Sequence, residues 1–261
     1  MTTTENKDYE YIFQIPSYNR IGKQSTVKML HEWGIPKDAI WIGVHDEQAK
    51  SDYEEDIGEF ATIINCNINN VGGKRNHLLS MAKNGQKVVI FDDDVQRIQW
   101  LDRKGEIHDI ESGEQFQRLL DYCFSFASKC SSVLWGTYPV VNPYFMSYTI
   151  DVNNILICTF MGIVAGTFNF KEDTIIKEDM ELCLRNMASG MNVVRFNFIV
   201  ADAKHRTQGG AYDEWKSGID DSISKDLCRK YPSLVSYSKS NASKLRFLKA
   251  LRYKGKIDWE G

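Results

Sequence analysis

The sequence predicts an α/β protein with a mostly parallel central sheet and flanking helices, and three observations carry that expectation. From Tyr9 to Val44, strand-like and helix-like segments alternate at the spacing of a parallel strand–helix–strand unit. The run Val88-Val89-Ile90-Phe91 is apolar without polar alternation, as in a strand covered on both faces. It enters Asp92-Asp93-Asp94 directly. Three acids are not buried together unpaired, because repulsion and desolvation oppose it. They therefore belong at the carboxyl end of the strand, where open α/β sheets gather ligands.

Carboxylate oxygens suit hard divalent cations such as Mg²⁺ or Mn²⁺, which bridge to phosphate. Side chains alternate along an extended chain, so Asp92 and Asp94 are expected on one side and Asp93 on the other. The plainer alternative is a solvated acidic turn. Its position directly after a core strand favours the metal-site reading.

The first strand, Tyr9 to Ile15, ends at Pro16, and Ser17-Tyr18-Asn19-Arg20 forms its carboxyl-end loop. A helix follows from Ser25 to Trp33, with Val27, Leu30 and Trp33 near helical spacing and Gly34 and Pro36 as stops. Ala39 to Val44 is the second strand. Asp46 after it either accepts hydrogen bonds from a base or ribose or caps the next helix. Asp52 to Gly58 reads as an acidic surface helix and Ala61 to Asn65 as a third strand.

Val71-Gly72-Gly73-Lys74-Arg75-Asn76 then leads into a helix with Leu78, Leu79 and Ala82. The glycines permit close backbone approach and the cations suit phosphate, although the spacing is not that of a P-loop. A cap turn with cations facing water is the alternative. Val95 to Gly113 reads as a hairpin over the site and Gln115 to Lys129 as a helix. Val133 to Gly136 is a strand, and Pro139 to Phe145 an irregular aromatic loop that either lines an acceptor pocket or packs.

Ile155 to Ala165 is the most apolar stretch and predicts a buried strand or strand pair. Glu178-Asp179 opens a helix that Gly190 closes. Acids at a helix start ordinarily cap it; an ionised Asp179 there also suits a general base. Val193 to Val200 is a strand, followed by a loop that holds His205, whose neutral imidazole can complete a Mn²⁺ site begun by carboxylates.

At 261 residues the chain suits one large domain or a domain with an added subdomain. No apolar run approaches membrane-spanning length and the start is polar and acidic, so no membrane association and a cytoplasmic location are expected. The six cysteines lie far apart with no CxxC pair, as reduced core thiols would. The net charge of −3 conceals a stretch of +9 between Lys225 and Lys256 on a body of −12. A basic tail on an acidic body suits an anionic partner such as nucleic acid or a phosphorylated donor, or serves solubility alone.

In order and spacing these pieces resemble a GT-A glycosyltransferase, a Rossmann-like fold. The matching residues are Ile15-Pro16-Ser17-Tyr18-Asn19-Arg20, Asp46, Gly73-Lys74-Arg75-Asn76, the DXD-like Asp92-Asp93-Asp94, Glu178-Asp179 with Leu182 and Arg185, and His205. Within that class the triple-Asp form, the Gly-Gly-Lys-Arg-Asn segment and His205-Arg206-Thr207-Gln208-Gly209-Gly210 are similar to the TET-associated glycosyltransferases and their bacteriophage relatives. The resemblance implies transfer of a sugar, with inversion, from a nucleotide-sugar such as a UDP-sugar to a hydroxymethylated pyrimidine in DNA, by a phage or bacterial enzyme.

The resemblance also implies roles. Asp92, Asp94 and His205 would hold Mn²⁺ or Mg²⁺; Pro16, Ser17, Arg20, Asp46 and Arg75 would border the nucleotide; Asp92 and Asp93 would face the donor; Asp179 would be the base. The triple-Asp form leaves three ways to choose two metal ligands. The implied organisation is a disordered or extended 1–8, a catalytic domain at 9–215 and a basic helical extension at 216–261 packed on it. In that extension Leu245, Leu248 and Leu251 would form an apolar helix face, with Lys244, Arg246, Lys249 and Arg252 on DNA phosphates. The competing expectations are the same chemistry on a glycan, lipid or protein hydroxyl, a non-catalytic nucleotide-sugar or nucleic-acid binding module, and a nucleotidyltransferase.

Overall fold

A computed structural model describes residues 9–172, 176–203, 219–241 and 243–261. The chain opens as anticipated: β1 (Tyr11–Pro16), α1 (Ser25–Glu32), β2 (Ile40–Val44), α2 (Glu47–Ile57), β3 (Thr62–Asn65), α3 (Val71–Met81) and β4 (Lys87–Phe91). A hairpin of β5 (Val95–Leu101) and β6 (Ile107–Asp109) precedes α4 (Gly113–Lys129), β7 (Ser132–Tyr138), β8 (Ile150–Val152) and β9 (Phe160–Val164). Then come α5 (Glu178–Ala188), β10 (Asn192–Ala203), α6 (Ile219–Lys230), β11 (Val235–Tyr237), β12 (Leu245–Phe247) and β13 (Leu251–Arg252).

The large sheet has the strand order β13-β8-β10-β7-β9-β4-β1-β2-β3. From β10 to β3, every strand but β9 runs in one direction; β9 opposes both β4 and β7. The apolar runs explain this layout, because each parallel strand feeds both faces. In β1, Phe13 and Ile15 join one core with Val27 and Leu30 of α1, Tyr53 of α2 and Phe116 of α4, while Ile12 joins the other. In β4, Val89 and Phe91 face the first core, and Val88 and Ile90 face the second with Leu79 of α3 and Leu182 of α5. The result is a three-layer α/β/α stack whose parallel strands deliver their carboxyl ends to one rim.

Three expectations are corrected. The Ile155 to Ala165 run yields a strand only over Phe160–Val164. Leu156 and Cys158 are buried without ladder pairing, and the Cys158 N–H is given to Asp179 instead. At Gly162 the strand crosses Trp135 so closely that a Cβ would meet the indole ring.

The basic extension is helical in α6 but not beyond it, where Leu245 and Leu251 lie in β12 and β13. One apolar helix face would bury its leucines together. Instead Leu245 is 2% exposed, packed on Met180 and Leu184 of α5, whereas Leu248 is 49% and Leu251 67% exposed. Finally, Asp93 and Asp94 lie in a turn between β4 and β5, so the alternation of an extended chain does not apply to them. The six cysteines are free thiols, and no helix among the described residues is long and apolar enough to cross a membrane.

Candidate active site

The acidic turn is held from beneath by α1 and the loop after β1. Thr26 Oγ1 donates to the Asp92 carbonyl at 2.6 Å and accepts the Val95 N–H at 3.0 Å, so it staples the turn at both ends. Asp93 is buried, with both oxygens engaged: Oδ2 accepts from Ser17 Oγ at 2.5 Å and Oδ1 faces Arg20 at 3.1 Å. The same guanidinium reaches Asp94 at 2.6 Å. Asp93 and Asp94 thus converge on one cation rather than pointing apart. Burial pushes the Asp93 carboxyl up to about 6, against the pull of Arg20 and Ser17. Asp92 is the most open of the three, its side chain 40% exposed with Arg75 at 3.5 Å.

Ser17, a candidate for the nucleotide, is spent on architecture. Its N–H pairs with the Gly43 carbonyl and its hydroxyl contacts Tyr53, Gln24 and Asp93. Pro16 ends β1 opposite Gly43. Asp46 caps α2 through the Ala49 N–H at 2.8 Å, the plainer of its two readings, while its carboxylate stays about half exposed. The glycine pair lies in the first turn of α3. Gly73 is needed there because a Cβ would press on Ile68 and on the Asn70 side chain that caps the helix.

Lys74 and Arg75 do not face water. Lys74 is 2% exposed and donates to the Ser17 carbonyl at 2.9 Å, and burial lowers its pKa to about 8. Arg75, equally buried, stands between Asp92 and Glu178, with which it forms a short ion pair.

That arginine joins the acidic turn to α5. Asp179, next to Glu178, is 8% exposed. Its Oδ1 accepts the Met180 N–H at 2.7 Å and its Oδ2 the Cys158 N–H at 3.2 Å. Burial, reinforced by the Glu178 charge, pushes its pKa up to about 7, against Arg75 and the two N–H groups. A carboxyl so placed exchanges a proton near neutral pH.

The structure therefore brings Ser17, Arg20, Arg75, Asp92, Asp93, Asp94 and Glu178 onto one rim through hydrogen bonds and ion pairs, with Asp179 beside Glu178 and held by backbone N–H groups. His205 lies outside the described residues. Arg246 and Lys249 are exposed on the C-terminal segment, Lys244 is half-buried beside β12, and Arg252 pairs with Asp151 on the sheet edge. Sequence reasoning missed Thr26, Gln24 and Tyr53, which brace the turn. A Thr or Tyr on a helix carries no signal until the tertiary fold sets it against a loop.

A carboxylate pair at this turn fits a hard divalent cation: the donors are oxygens, and Asp92 presents a half-open carboxylate that, among the described residues, meets Arg75 in a long contact. Asp93, with both oxygens taken, does not fit as a ligand. Among the described residues, one triad of Asp, Glu and His draws together, Asp102, Glu106 and His108. It sits on the β5–β6 hairpin, where Asp102 is occupied by the Lys104 and Glu106 N–H groups.

Six of seven central strands in one direction, with acids at the carboxyl end of β4 and a buried carboxyl at the start of α5, define a glycosyltransferase-type Rossmann-like fold. A family model described as TET-Associated Glycosyltransferase matches residues 11–211, and the chain belongs to that family. It is accordingly a glycosyltransferase, an enzyme that takes a nucleotide-sugar donor and an acceptor. Comparison with curated proteins gives no match.

Proposed function

We propose that the protein transfers a sugar from a UDP-sugar, with inversion, to the hydroxyl of a hydroxymethylated pyrimidine in DNA. The observation that carries the chemistry is the Arg75 bridge, which ties the acidic turn at Asp92 to the Glu178-Asp179 pair. Donor-side and acceptor-side groups thereby share one rigid rim.

Asp92 and Asp94, with His205, would hold Mn²⁺ or Mg²⁺, which supplies charge neutralisation for the departing diphosphate. Arg20 and Arg75 fix the turn, and Asp46 borders the nucleotide. Asp93 supports the turn through Ser17 and Arg20 rather than touching the ion. Asp179 takes the proton of the acceptor hydroxyl as its oxygen bonds to the anomeric carbon. The bond to the diphosphate breaks, and the diphosphate leaves with the electron pair. A single displacement inverts that carbon. The exposed cations of the C-terminal segment, Arg246 and Lys249 among them, suit DNA phosphates.

Calorimetric titration of UDP with and without Mn²⁺ tests the donor site; binding that requires the ion is expected. Radiolabelled UDP-sugars offered with hydroxymethylated DNA test the acceptor. Label in glycan or lipid but never in DNA would overturn the DNA reading and leave the glycosyltransferase standing.

A further inference from the structure

The loop between β7 and β8 carries an aromatic tip, and we propose that Tyr144 and Phe145 are a base-stacking wedge that unstacks the acceptor strand beside the base to be modified. This rests on the DNA-acceptor reading above. β7 runs with β4 and β10, whereas β8 runs against β10, so both ends of the loop lie at the rim that holds Asp92.

The root of the loop is linked to the site indirectly, through one arginine and the segment before β9. The Tyr138 ring lies 5.6 Å from the Arg195 guanidinium, which donates to the Ile155 carbonyl at 3.3 Å. Three residues on, Cys158 gives its N–H to Asp179.

The tip is pinned rather than loose. The Asn142 side chain accepts the Tyr144 N–H at 3.0 Å, and its carbonyl accepts the Phe145 and Met146 N–H groups at 3.0 and 3.1 Å. Met146 is buried and Tyr148 packs on Phe198, so the loop has its own anchors. Yet Tyr144 is 87% and Phe145 60% exposed, with their rings edge to face at 5.1 Å. Two aromatics held outward by a fixed turn are spent on something other than the core.

Charge selects the occupant. Residues 139 to 150 contain no charged side chain, so nothing on the loop repels a polyanion. The same rim carries Lys23 and Lys28, exposed and lining an open cavity of about 410 Å³ with Arg20 and Asp94. Flat π-faces together with an anionic backbone describe a nucleic acid. The wedge also answers a geometric need. Asp179 is buried, so a hydroxymethyl group stacked within a duplex must be brought out to reach it.

The test uses the full chain and a duplex with 2-aminopurine beside a hydroxymethylated cytosine, without donor, so that turnover plays no part. Wild type is expected to raise the 2-aminopurine fluorescence on binding. Tyr144→Ala/Phe145→Ala should abolish most of that rise and weaken duplex binding by about 10-fold or more. UDP affinity and thermal stability should stay unchanged, since both side chains are exposed. Tyr144→Trp should retain the signal. Equal fluorescence and affinity in the double Ala variant, with wild-type DNA binding intact, would overturn the wedge alone. Failure of the wild type to bind the duplex at low salt would overturn the DNA reading and the wedge together. Loss of transfer to a glycan in the double variant, with DNA binding unaffected, would make the loop a sugar platform and overturn the proposal.

Discussion

A carboxyl buried as deeply as Asp179 holds its proton up to about pH 7, yet a general base works only when ionised. Transfer should therefore rise as pH climbs through about 7 and level off above it, in a profile of kcat against pH. Asp179→Asn should lower kcat by about 10²–10⁴-fold while UDP affinity is kept. Stability runs the other way. A folded pKa above the unfolded value means that the native state binds the extra proton, so this group costs stability increasingly from about pH 4 up to 7. Asp179→Asn gives up one of the two N–H acceptors, so the pH-dependent readout is the difference: its melting temperature relative to wild type should be more favourable at pH 8 than at pH 5.

The acidic turn divides in the same manner. Asp92 is half open and Asp93 is braced on both oxygens. Asp92→Ala should remove metal-dependent UDP binding with little change in melting temperature. Asp93→Ala should lower the melting temperature by several degrees, because Ser17 loses its acceptor and Arg20 one of its two carboxylates.

Between elements, Arg75 is the tie. It projects from the second turn of α3 to the acids after β4 and to the first turn of α5, and almost none of it reaches solvent. Removing one partner of a buried ion pair strands the other, at a cost of about 3–5 kcal/mol. Arg75→Met should cost stability on that scale in urea denaturation and should impair transfer as well. Lys177 provides a second tie. It adopts a left-handed backbone (φ 64°) just before Glu178, and its buried ammonium reaches Asp220 of α6 at 2.7 Å and the Ser243 carbonyl at 2.6 Å. The start of α5 is therefore clamped by the C-terminal segment as well as by α3.

Across the whole molecule, charge is unevenly placed. The +9 stretch from Lys225 to Lys256 includes the second half of α6, the β11–β12 hairpin and the edge strand β13, which closes the main sheet beside β8. Its cations do not share one helix face; they are divided among α6, the β11–β12 hairpin, the edge strand and the residues after it. Arg246→Glu and Lys249→Glu should each weaken duplex binding regardless of sequence and reduce the salt slope by about 1, read from gel shifts across a salt series. A slope that does not change would place the phosphates elsewhere.

The central sheet was legible because apolar runs and turn residues are local signals, and the acids after β4 and at the start of α5 stood out for the same reason. The β12 and β13 strands were not legible. Leu245, Leu248 and Leu251 satisfy a helical spacing, and only docking of Leu245 against α5 decides otherwise. Lys74 and Arg75 read as surface cations for a ligand, yet the packing of α3 turns both inward. By itself, then, the sequence determined the α/β class, the rim that gathers the acids and the family resemblance, since periodicity and motif order are properties of the chain. Only the tertiary structure decided which acids are open, which are braced, and that Asp179 is buried enough to keep a proton near neutral pH. Those outcomes depend on partners from α1, α3 and α5 that meet in space and not in sequence.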